Sequence, residues 1–327
     1  MQQLAIGVLG AGHLGKIHIE QLLKISQCKV VGFYDSNAAT REEVSAKFNI
    51  TAFANEDELI ASCDAIDIVT PTLSHFDLAK KCVTYGKHIF IEKPITETSE
   101  EAAQLIKMIH EANVVCQIGH VERLNPAFLA VKPLLSNPVF IEVHRLSQFN
   151  PRGTDVSVVL DLMIHDLDII LSLVNSDIRR ISASGVKVVS DSIDIANARL
   201  EFMNGCVANI TTSRISLKNM RKMRLFQKDA YVSIDFLNKT NEVVRINTEG
   251  DATGPLDFEL RNAEGEKRIV SIGAEEVHMH NAIEMELRLF VDAVINNTAA
   301  VVSASDGLAA LSLAEEILRK INTHNDL

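Results

Sequence analysis

Short apolar runs alternate with stretches of helical periodicity through the first 120 residues of the chain. Each run is continuously aliphatic, which is typical of strands in a parallel sheet whose two faces are both covered. The runs occupy residues 4–9, 29–34, 65–70, 88–93 and 114–119, and the helical patterns occupy 13–25, 38–48, 74–85 and 99–112. This alternation predicts an α/β domain with a doubly wound parallel sheet of the Rossmann type.

The second half of the chain has the pattern of strands paired in hairpins. Asn204 and Gly205 separate two strand-like stretches, and this dipeptide favours the left-handed backbone of a tight hairpin turn. Residues 223–236, MRLFQKDAYVSIDF, read as another hairpin. Hairpins in series predict an open, mostly antiparallel sheet.

Helical patterns return near the end of the chain, at 281–296 and 304–321. Ser303 or Ser305 is suited to cap the last helix, because a serine oxygen can accept a free N–H group at a helix start. The second half is therefore predicted to be an α+β domain. We expect the boundary near residue 120, which divides the chain into residues 1–120 and 121–327.

Charged residues interrupt an apolar segment at residues 161–172, DLMIHDLDIILS. A buried charge without a partner is costly, so their placement on a helix matters. At about 100° per residue, four polar residues share one narrow edge of that helix, and they are Asp161, His165, Asp168 and Ser172. Asp166 lies off this edge and has no role that the sequence assigns. We predict a packed helix with one polar edge.

Composition narrows the classes of function. The 327 residues carry a net charge of −11, so a nucleic-acid or acidic-membrane surface is not expected. The five cysteines include no closely spaced pair, which argues against a disulfide framework and a zinc site. The chain has no signal-peptide pattern and no apolar run of about 18 residues. We expect a cytoplasmic protein without a membrane span or a metal.

The segment VLGAGHLGKIH places a G-x-G-x-x-G pattern directly after the first strand and at the start of a helix. The first glycine permits a tight turn, the second lets a pyrophosphate approach the backbone, and the third lets helix and strand pack closely. The helix start offers free N–H groups to the phosphates. This context predicts a dinucleotide site, with Gly10, Gly12, His13, Leu14 and Gly15 as cofactor-binding residues. The alternative is a related domain with a vestigial site.

An acidic residue at the end of the second strand bears on which dinucleotide binds. Asp35 lies 20 residues beyond Gly15, where a carboxylate can accept both ribose hydroxyls and would repel a 2′-phosphate. No arginine directly follows it, and the nearest is Arg41. The sequence therefore favours NAD over NADP.

Two further strand ends carry polar residues toward the expected cofactor crevice, because ligands of open α/β sheets bind beyond the carboxyl ends of the strands. Thr70, Pro71 and His75 follow one strand, and Glu92 and Lys93 end another. We predict the first three and Glu92 to contact the cofactor; the alternative for His75 is that it simply begins the next helix. A lysine at this place can stabilise a developing alkoxide, and the alternative is a surface lysine that closes a strand.

Together with Asp-x-x-x-His at 161–165, these motifs resemble the glucose–fructose oxidoreductase / inositol dehydrogenase (Gfo/Idh/MocA) family. The match runs through the chain in GAGHLG, TPTLSH, EKPI and SASDGLAALSLAEEIL, and EKP is its most specific element. The resemblance implies a dinucleotide-binding domain and a substrate-binding, oligomerising domain that oxidise a sugar or polyol hydroxyl with NAD(P). It also implies Lys93 as the catalytic lysine, with Asp161 and His165 facing it.

Within this family, GHVERLNPAF and NPRGTDVSVVLDLMIHDLDIILSL look most like the nucleotide-sugar members. Those are dehydrogenases that act on the 3-hydroxyl of a UDP-N-acetylglucosamine-type sugar. Arg123, Asn125 and Arg152 are the candidate substrate-binding residues, since a guanidinium can hold a diphosphate or carboxylate with two hydrogen bonds. The alternative for both arginines is a solvent-exposed or ion-paired side chain. His120 departs from the aromatic or aliphatic residue expected after that glycine.

The resemblance also implies a mechanism. His165 accepts the hydroxyl proton as general base, Lys93 hydrogen-bonds the same oxygen and stabilises the alkoxide, and Asp161 orients one or both. Hydride passes to NAD and leaves a keto sugar. Whether Lys93 or His165 takes the proton stays open, as does whether the cofactor leaves after each turnover.

Three other readings remain. The substrate is a free sugar, an inositol or an N-acetylated sugar without a nucleotide; the protein is a reductase of a non-sugar substrate on the same scaffold; or it is a non-catalytic NAD-binding regulator. A metal enzyme using His165, Asp166 and Asp168 is disfavoured, because neighbouring helical residues point apart. We also expect a homodimer or homotetramer, because the open sheet face of such a second domain is apolar and usually covered.

Overall fold

The computed structural model describes residues 3–151, 153–154, 156–247, 256–261, 265 and 267–325. The chain divides into two compact units, Met1–Val121 with His280–Ser312 and Glu122–Met279 with Leu313–Leu327. The sequence predicted one boundary near residue 120 and assigned all later residues to the second domain. In the structure, residues 280–312 belong to the first unit. The physical reason lies in helix α8 (Ala282–Asn296), whose Leu287, Phe290 and Val291 are buried in the core of the first unit.

The first unit contains the predicted parallel sheet. Five parallel strands lie in the order β2-β1-β3-β4-β5. The strands are β1 (Leu4–Leu9), β2 (Cys28–Tyr34), β3 (Ala65–Ile68), β4 (His88–Glu92) and β5 (Cys116–Gly119), and the helices between them are α1 (His13–Leu22), α2 (Ala38–Phe48), α3 (Glu56–Ala61), α4 (His75–Thr84) and α5 (Ser99–Ala112). The Rossmann prediction is confirmed.

Local signals in the sequence set the ends of these helices. Asn37 caps α2 by accepting the N–H of Thr40, and Thr98 forms a reciprocal capping box with Glu101 on α5. The short helix α3 was missed in the sequence, although Asn55 caps it and an acidic first turn follows. Six residues are too few for a clear helical period, which explains the omission.

The second unit is built on a nine-stranded sheet in the order β13-β14-β12-β11-β10-β6-β9-β8-β7. All neighbours are antiparallel except β6 and β9, which run parallel. Its elements are α6 (Pro126–Val131), β6 (Phe140–Leu146), α7 (Ile164–Leu173), β7 (Ile178–Val186), β8 (Ile195–Phe202), β9 (Val207–Ser213), β10 (Met220–Phe226), β11 (Ala230–Asp235), β12 (Thr240–Asn247), β13 (Leu256–Arg261) and β14 (Lys267–Gly273).

Both hairpins predicted in this unit are confirmed. Strands β8 and β9 pair across Asn204 and Gly205, and Gly205 has a φ of +88°. Strands β10 and β11 pair as the second hairpin. The last helix, α9 (Ala304–Asn325), begins after Ser303, whose hydroxyl oxygen accepts the N–H of Asp306 as predicted for a cap.

The segment at 161–172 is helical, but its first turn is not an α-helix. Residues Val159–Met163 form a π-helical turn that leads into α7. The wider turn changes the angle between successive side chains, so the regular edge predicted from Asp161 onward applies only from Ile164. Such a widened turn leaves no trace in the apolar pattern, which explains why the sequence did not reveal it.

The buried aspartates of α7 are each neutralised by an arginine. Arg145 on β6 donates Nε and Nη2 to the carboxylate of Asp166 at 2.7 and 2.8 Å, and it donates Nη1 to Glu122 at 2.9 Å. Arg123 binds the Asp168 carboxylate in the same two-pronged manner, at 2.7 Å for both contacts. The role of Asp166, which the sequence left unassigned, is to hold α7 against the sheet.

Among the described residues, no helix is both long and apolar enough to cross a bilayer.

The Arg145–Asp166 pair yields a stability prediction. Asp166→Asn removes one charge and leaves the Arg145 guanidinium, 2% exposed, with Glu122 alone. We expect the free energy of unfolding to fall by about 3 kcal/mol, because breaking a buried ion pair strands the remaining charge. Urea denaturation followed by circular dichroism measures this change.

Glu316→Gln is the matched control, because it breaks the Arg319–Glu316 pair on α9 of the same unit, where the side chains are 69% and 43% exposed. Its expected cost is under about 1 kcal/mol. Equal costs for the two substitutions would contradict the role assigned to Asp166.

Candidate functional site

The glycine-rich turn of the first unit has the geometry of a dinucleotide cradle. Gly10 has a φ of +93°, which L side chains rarely adopt. A Cβ on Gly15 would lie 2.1 Å from the carbonyl oxygen of Gly10, so the helix can approach the strand only without one. A Cβ on Gly12 would meet nothing within 4 Å, so its backbone faces open space. The three glycines thus serve three different purposes.

Helix α1 leaves its first N–H groups available at this turn. Gly12 is the N-cap and supplies no side-chain acceptor, and the first intrahelical bond runs from Lys16 N–H to Gly12 O. N–H groups and the positive end of a helix dipole at one place attract phosphate. A cavity of about 670 Å³ lies beside them, and its lining includes Gly10, Gly12, His13 and Leu14.

Asp35 lies in the same cavity lining at the end of β2. Its Oδ2 accepts the N–H of Ala11 at 2.8 Å and its Oδ1 accepts the N–H of Asn37 at 2.9 Å. The carboxylate is therefore fixed at the mouth of the turn. Arg41 donates Nη1 to the carbonyl oxygens of Asp35 and Ser36, at 2.6 and 3.2 Å. These residues fit NAD, whose ribose hydroxyls a fixed carboxylate can accept.

Thr70 and Pro71 also line this cavity, whereas His75 and Glu92 are turned to other contacts. The His75 ring is 1% exposed, with Nδ1 2.8 Å from the carbonyl oxygen of Pro94 and Nε2 2.9 Å from that of Thr70. Glu92 is buried and accepts the N–H of Lys93 at 3.2 Å. Both side chains contact the backbone of the strand-end turns, and their contacts with the cofactor stay predictions.

Lys93 lies directly after β4 and is half-buried. The peptide bond between Lys93 and Pro94 is cis. Lys93 and Pro94 directly follow the carboxyl end of β4, an interior strand of the sheet, as the sequence indicated.

A buried cluster of ionisable groups adjoins this turn, and the sequence did not reveal it. His18 on α1 lies between Asp67 and Glu92, with Nδ1 2.9 Å from Asp67 Oδ2 and Nε2 3.2 Å from Glu92 Oε1. Glu286 on α8 is the fourth member. A ring nitrogen of His18 and one carboxylate oxygen each of Glu92 and Glu286 lie within 4.8 Å of one another. The available signal was a histidine on the apolar face of α1 and an acid inside a buried strand.

The cluster shifts the pKa values of its members. Burial by itself would lower the pKa of His18, but the carboxylates of Asp67 and Glu92 outweigh it and raise that pKa well above the ordinary value. Burial, reinforced by the negative charge of Glu92, raises the pKa of Glu286 well above the usual range. These shifts favour a charged imidazole at His18 and the protonated carboxyl at Glu286.

In the second unit, Asp161 and His165 occupy the start of the helical segment. Asp161 lies in the π-helical turn, where its N–H donates to Ser157 O at 3.0 Å, and His165 is the second residue of α7. Both side chains are half-buried. The π-helical turn thus supplies the irregular backbone from which Asp161 projects, a feature that π-turns often bring to functional sites.

The three predicted substrate contacts differ in their surroundings. Arg123 binds Asp168, as described, and its side chain is 11% exposed. Asn125 caps α6 by accepting the N–H of Ala127, and its Nδ2 donates to Glu122 and to the carbonyl oxygen of Phe236. Arg152 lies outside the described residues. His120, whose role the sequence left open, is buried at the end of β5.

Comparison with known proteins identifies the class. Residues 4–120 match the model of an oxidoreductase family with an NAD-binding Rossmann fold, and residues 138–232 match the GFO/IDH/MocA C-terminal domain. A UDP-N-acetylglucosamine 3-dehydrogenase of Acidithiobacillus ferrooxidans is 39% identical over 304 residues, which cover 90% of this chain and 93% of that one. Its crystal structure superposes with a TM-score of 0.88 at 34% identity over 99% of both chains.

An inositol 2-dehydrogenase of Rhizobium meliloti is 24% identical over 96% of each chain. A Rossmann unit with a glycine cradle, a fixed acid and a strand-end lysine defines a nicotinamide-dependent oxidoreductase. The chain belongs to the Gfo/Idh/MocA family, and NAD is its cofactor.

Gly12→Ala tests the cradle. The added methyl meets no protein atom within 4 Å, so the melting temperature without NAD should stay at the wild-type value. The same methyl would project into the open space where a pyrophosphate can approach the backbone, so we expect the Kd for NAD to rise about tenfold or more. Isothermal titration and thermal denaturation measure the two quantities.

Gly15→Ala is the matched comparison, because its methyl would lie 2.1 Å from a backbone oxygen. We expect this variant to lose at least about 1 kcal/mol of stability. A Gly12→Ala protein that is destabilised yet binds NAD normally would contradict the assignment of this cavity.

Glu286 gives a pH prediction. Its folded pKa exceeds its unfolded pKa, so the folded state retains a proton that the unfolded state releases above about pH 4.5. Stability is therefore lost as the pH rises, by up to about 1.4 kcal/mol per pH unit until the folded group ionises. Glu286→Gln removes this loss, so the stability difference between the variant and the wild type should shift in favour of the variant as the pH rises above about 4.5.

Urea denaturation across this pH range measures the effect, with Glu42→Gln at an exposed site of α2 as control. The groups facing Glu286 are Glu92, His18 and Asp67, and both proteins retain them. A difference that is constant with pH would show that Glu286 ionises normally in the fold.

Proposed function

We propose that this protein is an NAD-dependent dehydrogenase that oxidises the 3-hydroxyl of a UDP-N-acetylglucosamine-type sugar to a ketone. The observation that carries the proposal is the 39% identity to a UDP-N-acetylglucosamine 3-dehydrogenase over 90% of this chain. The fixed Asp35 and the open glycine cradle support the use of NAD in this reaction. Bound NAD supplies the hydride acceptor.

The proposed roles of the catalytic residues follow from their chemistry and from the family resemblance. Lys93 donates a hydrogen bond to the reacting hydroxyl and stabilises the alkoxide with its positive charge. His165 accepts the hydroxyl proton as general base, and Asp161 orients the groups that handle this proton. Lys93 ends a buried strand and His165 begins a helix, so both stand on rigid elements.

The substrate-binding roles of Arg123, Asn125 and Arg152 also stay proposals. Arg123 and Asn125 are already held by protein groups. A contact of Arg123 with the diphosphate would use guanidinium N–H groups other than those that bind Asp168. Because Asp168 already orients the guanidinium, the entropic cost of this contact is lower.

A second copy of the chain is the proposed occupant of the open sheet face in the second unit. The sequence led us to expect an apolar face, but the structure presents a mixed one. Arg224 binds Glu142 at 2.9 Å and Arg199 donates to Asn209 at 3.1 Å, beside the ring contact of Phe226 with Tyr231. Aromatic rings and arginines are enriched in protein interfaces, so this mixture is compatible with a homo-oligomer.

We also propose a cytoplasmic location. All five cysteines are free and buried. Burial raises the pKa of the Cys63 and Cys82 thiols to about 12, which keeps them protonated and unreactive. Unpaired thiols of this kind suit a reducing compartment.

A substrate panel tests the function. We expect NADH formation with UDP-N-acetylglucosamine at a kcat/KM about 10²-fold above that for free N-acetylglucosamine, because a site built for the diphosphate loses those contacts with the free sugar. myo-Inositol belongs in the panel, because an inositol 2-dehydrogenase is among the relatives. NADP in place of NAD should lower the rate, since Asp35 repels its 2′-phosphate.

Lys93→Met and His165→Ala test the mechanism on the best substrate of the panel. Each should lower kcat by about 10²-fold or more. A general base must be deprotonated to act, so the fall of turnover at acidic pH should vanish in the variant that lacks the base. If both variants kept near wild-type turnover, the mechanism would be wrong.

Analytical ultracentrifugation tests the proposed homo-oligomer. Sedimentation of the wild-type protein as a single chain would refute it.

A further inference from the structure

The turn that carries Lys93 is attached to the interior of the first unit by a chain of polar contacts. Oε2 of Glu92 accepts the N–H of Lys93 at 3.2 Å, and Oε1 of the same carboxylate lies 3.2 Å from Nε2 of His18. The other ring nitrogen of His18 lies 2.9 Å from Oδ2 of Asp67. The contacts therefore run without a break from Asp67 through an imidazole and a carboxylate to the backbone of Lys93.

A second histidine reaches the same turn from helix α4. The ring of His75 spans the carbonyl oxygens of Pro94 and Thr70, at 2.8 and 2.9 Å. Whichever nitrogen carries the proton, the ring fills the space between these two strand-end turns. The residues immediately before and after Lys93 are thus each in contact with a histidine.

These groups are too deeply buried to take part in the chemistry themselves. His18 and Asp67 are 0% exposed and His75 is 1% exposed. Space for the Glu92 carboxylate depends on Gly119, where a Cβ would lie 2.6 Å from Oε1. A side chain at position 119 would therefore displace the carboxylate that links His18 to Lys93.

We propose that His18 and His75 are positioning residues that fix the backbone on either side of Lys93 and thereby aim its ammonium group at the reacting hydroxyl. This proposal rests on the catalytic role proposed for Lys93. Placement of a catalytic group governs the rate steeply, because a displacement of about 1 Å can cost about 10²-fold.

The charge state of the cluster favours a rigid link. Despite burial, the neighbouring carboxylates raise the pKa of His18 well above its ordinary value, which favours a charged imidazole that attracts Asp67 on one side and Glu92 on the other. A contact between opposite charges in a buried environment is stronger than one between neutral groups. An apolar side chain at position 18 would release Glu92 from this link.

His18→Leu is the primary test, measured with the holoenzyme on the substrate identified by the panel. We expect kcat to fall about 10²-fold while the Kd for NAD and the KM for the sugar change by less than about threefold. In a Lys93→Met background, the same substitution should change the residual single-turnover rate by less than about threefold. A residue that acts through Lys93 has nothing left to position when the ammonium group is gone.

His75→Leu should behave in the same way, with a loss of about tenfold or more in kcat that disappears in the Lys93→Met background. His88→Leu is the matched control. His88 begins the same strand that Lys93 follows, and its Nδ1 accepts the N–H of Val115 at 2.9 Å. Its loss should affect stability, with kcat per folded molecule unchanged.

Asp67→Asn serves if His18→Leu does not fold, because it keeps the shape of the side chain and removes only the charge that holds the ring. We expect it to lower kcat about tenfold with NAD affinity retained.

The positioning role is overturned if kcat stays at the wild-type value, if the loss persists in full in the Lys93→Met background, or if NAD affinity falls in proportion. Wild-type turnover in Lys93→Met alone would instead overturn the proposed function.

Discussion

A charge taken out of water must find a charge of opposite sign, and both units of this protein are organised around that requirement. In the first unit, His18 lies between the carboxylates of Asp67 and Glu92. In the second, Arg145 lies between those of Asp166 and Glu122. Each cation joins elements that are distant in sequence, so each pairing fixes tertiary structure as well as charge.

The functional elements are attached to these two pairings. Glu92 is the last residue of β4 and Lys93 is the next residue in the chain, while Asp166 directly follows His165 in α7. In both cases a candidate catalytic side chain is the immediate neighbour of a buried, ion-paired acid. A half-buried side chain gains its orientation from a neighbour that cannot move, which is how a fold can hold a group near solvent without mobility.

The sequence predicted the layers of the fold and the nucleotide cradle well, because both depend on local patterns. Continuous aliphatic runs identified the five parallel strands, and the glycine spacing identified the turn after β1. The sequence did not predict which charged residues pair with one another in the interior. Arg145 and Asp166 are 21 residues apart and His18 and Asp67 are 49 apart, and no periodicity links such pairs.

The discontinuous first unit has a consequence for how the chain acquires its structure. Leu287, Phe290 and Val291 belong to the core around β1, yet they are made after the whole second unit except its last residues. During synthesis, part of the apolar surface of the nucleotide-binding unit therefore stays exposed until residues 280–312 have been made and α8 can cover it. The first unit is thus completed only after most of the second unit has been synthesised, and a chain shortened at residue 279 would lack part of the core of a unit whose sheet it contains in full.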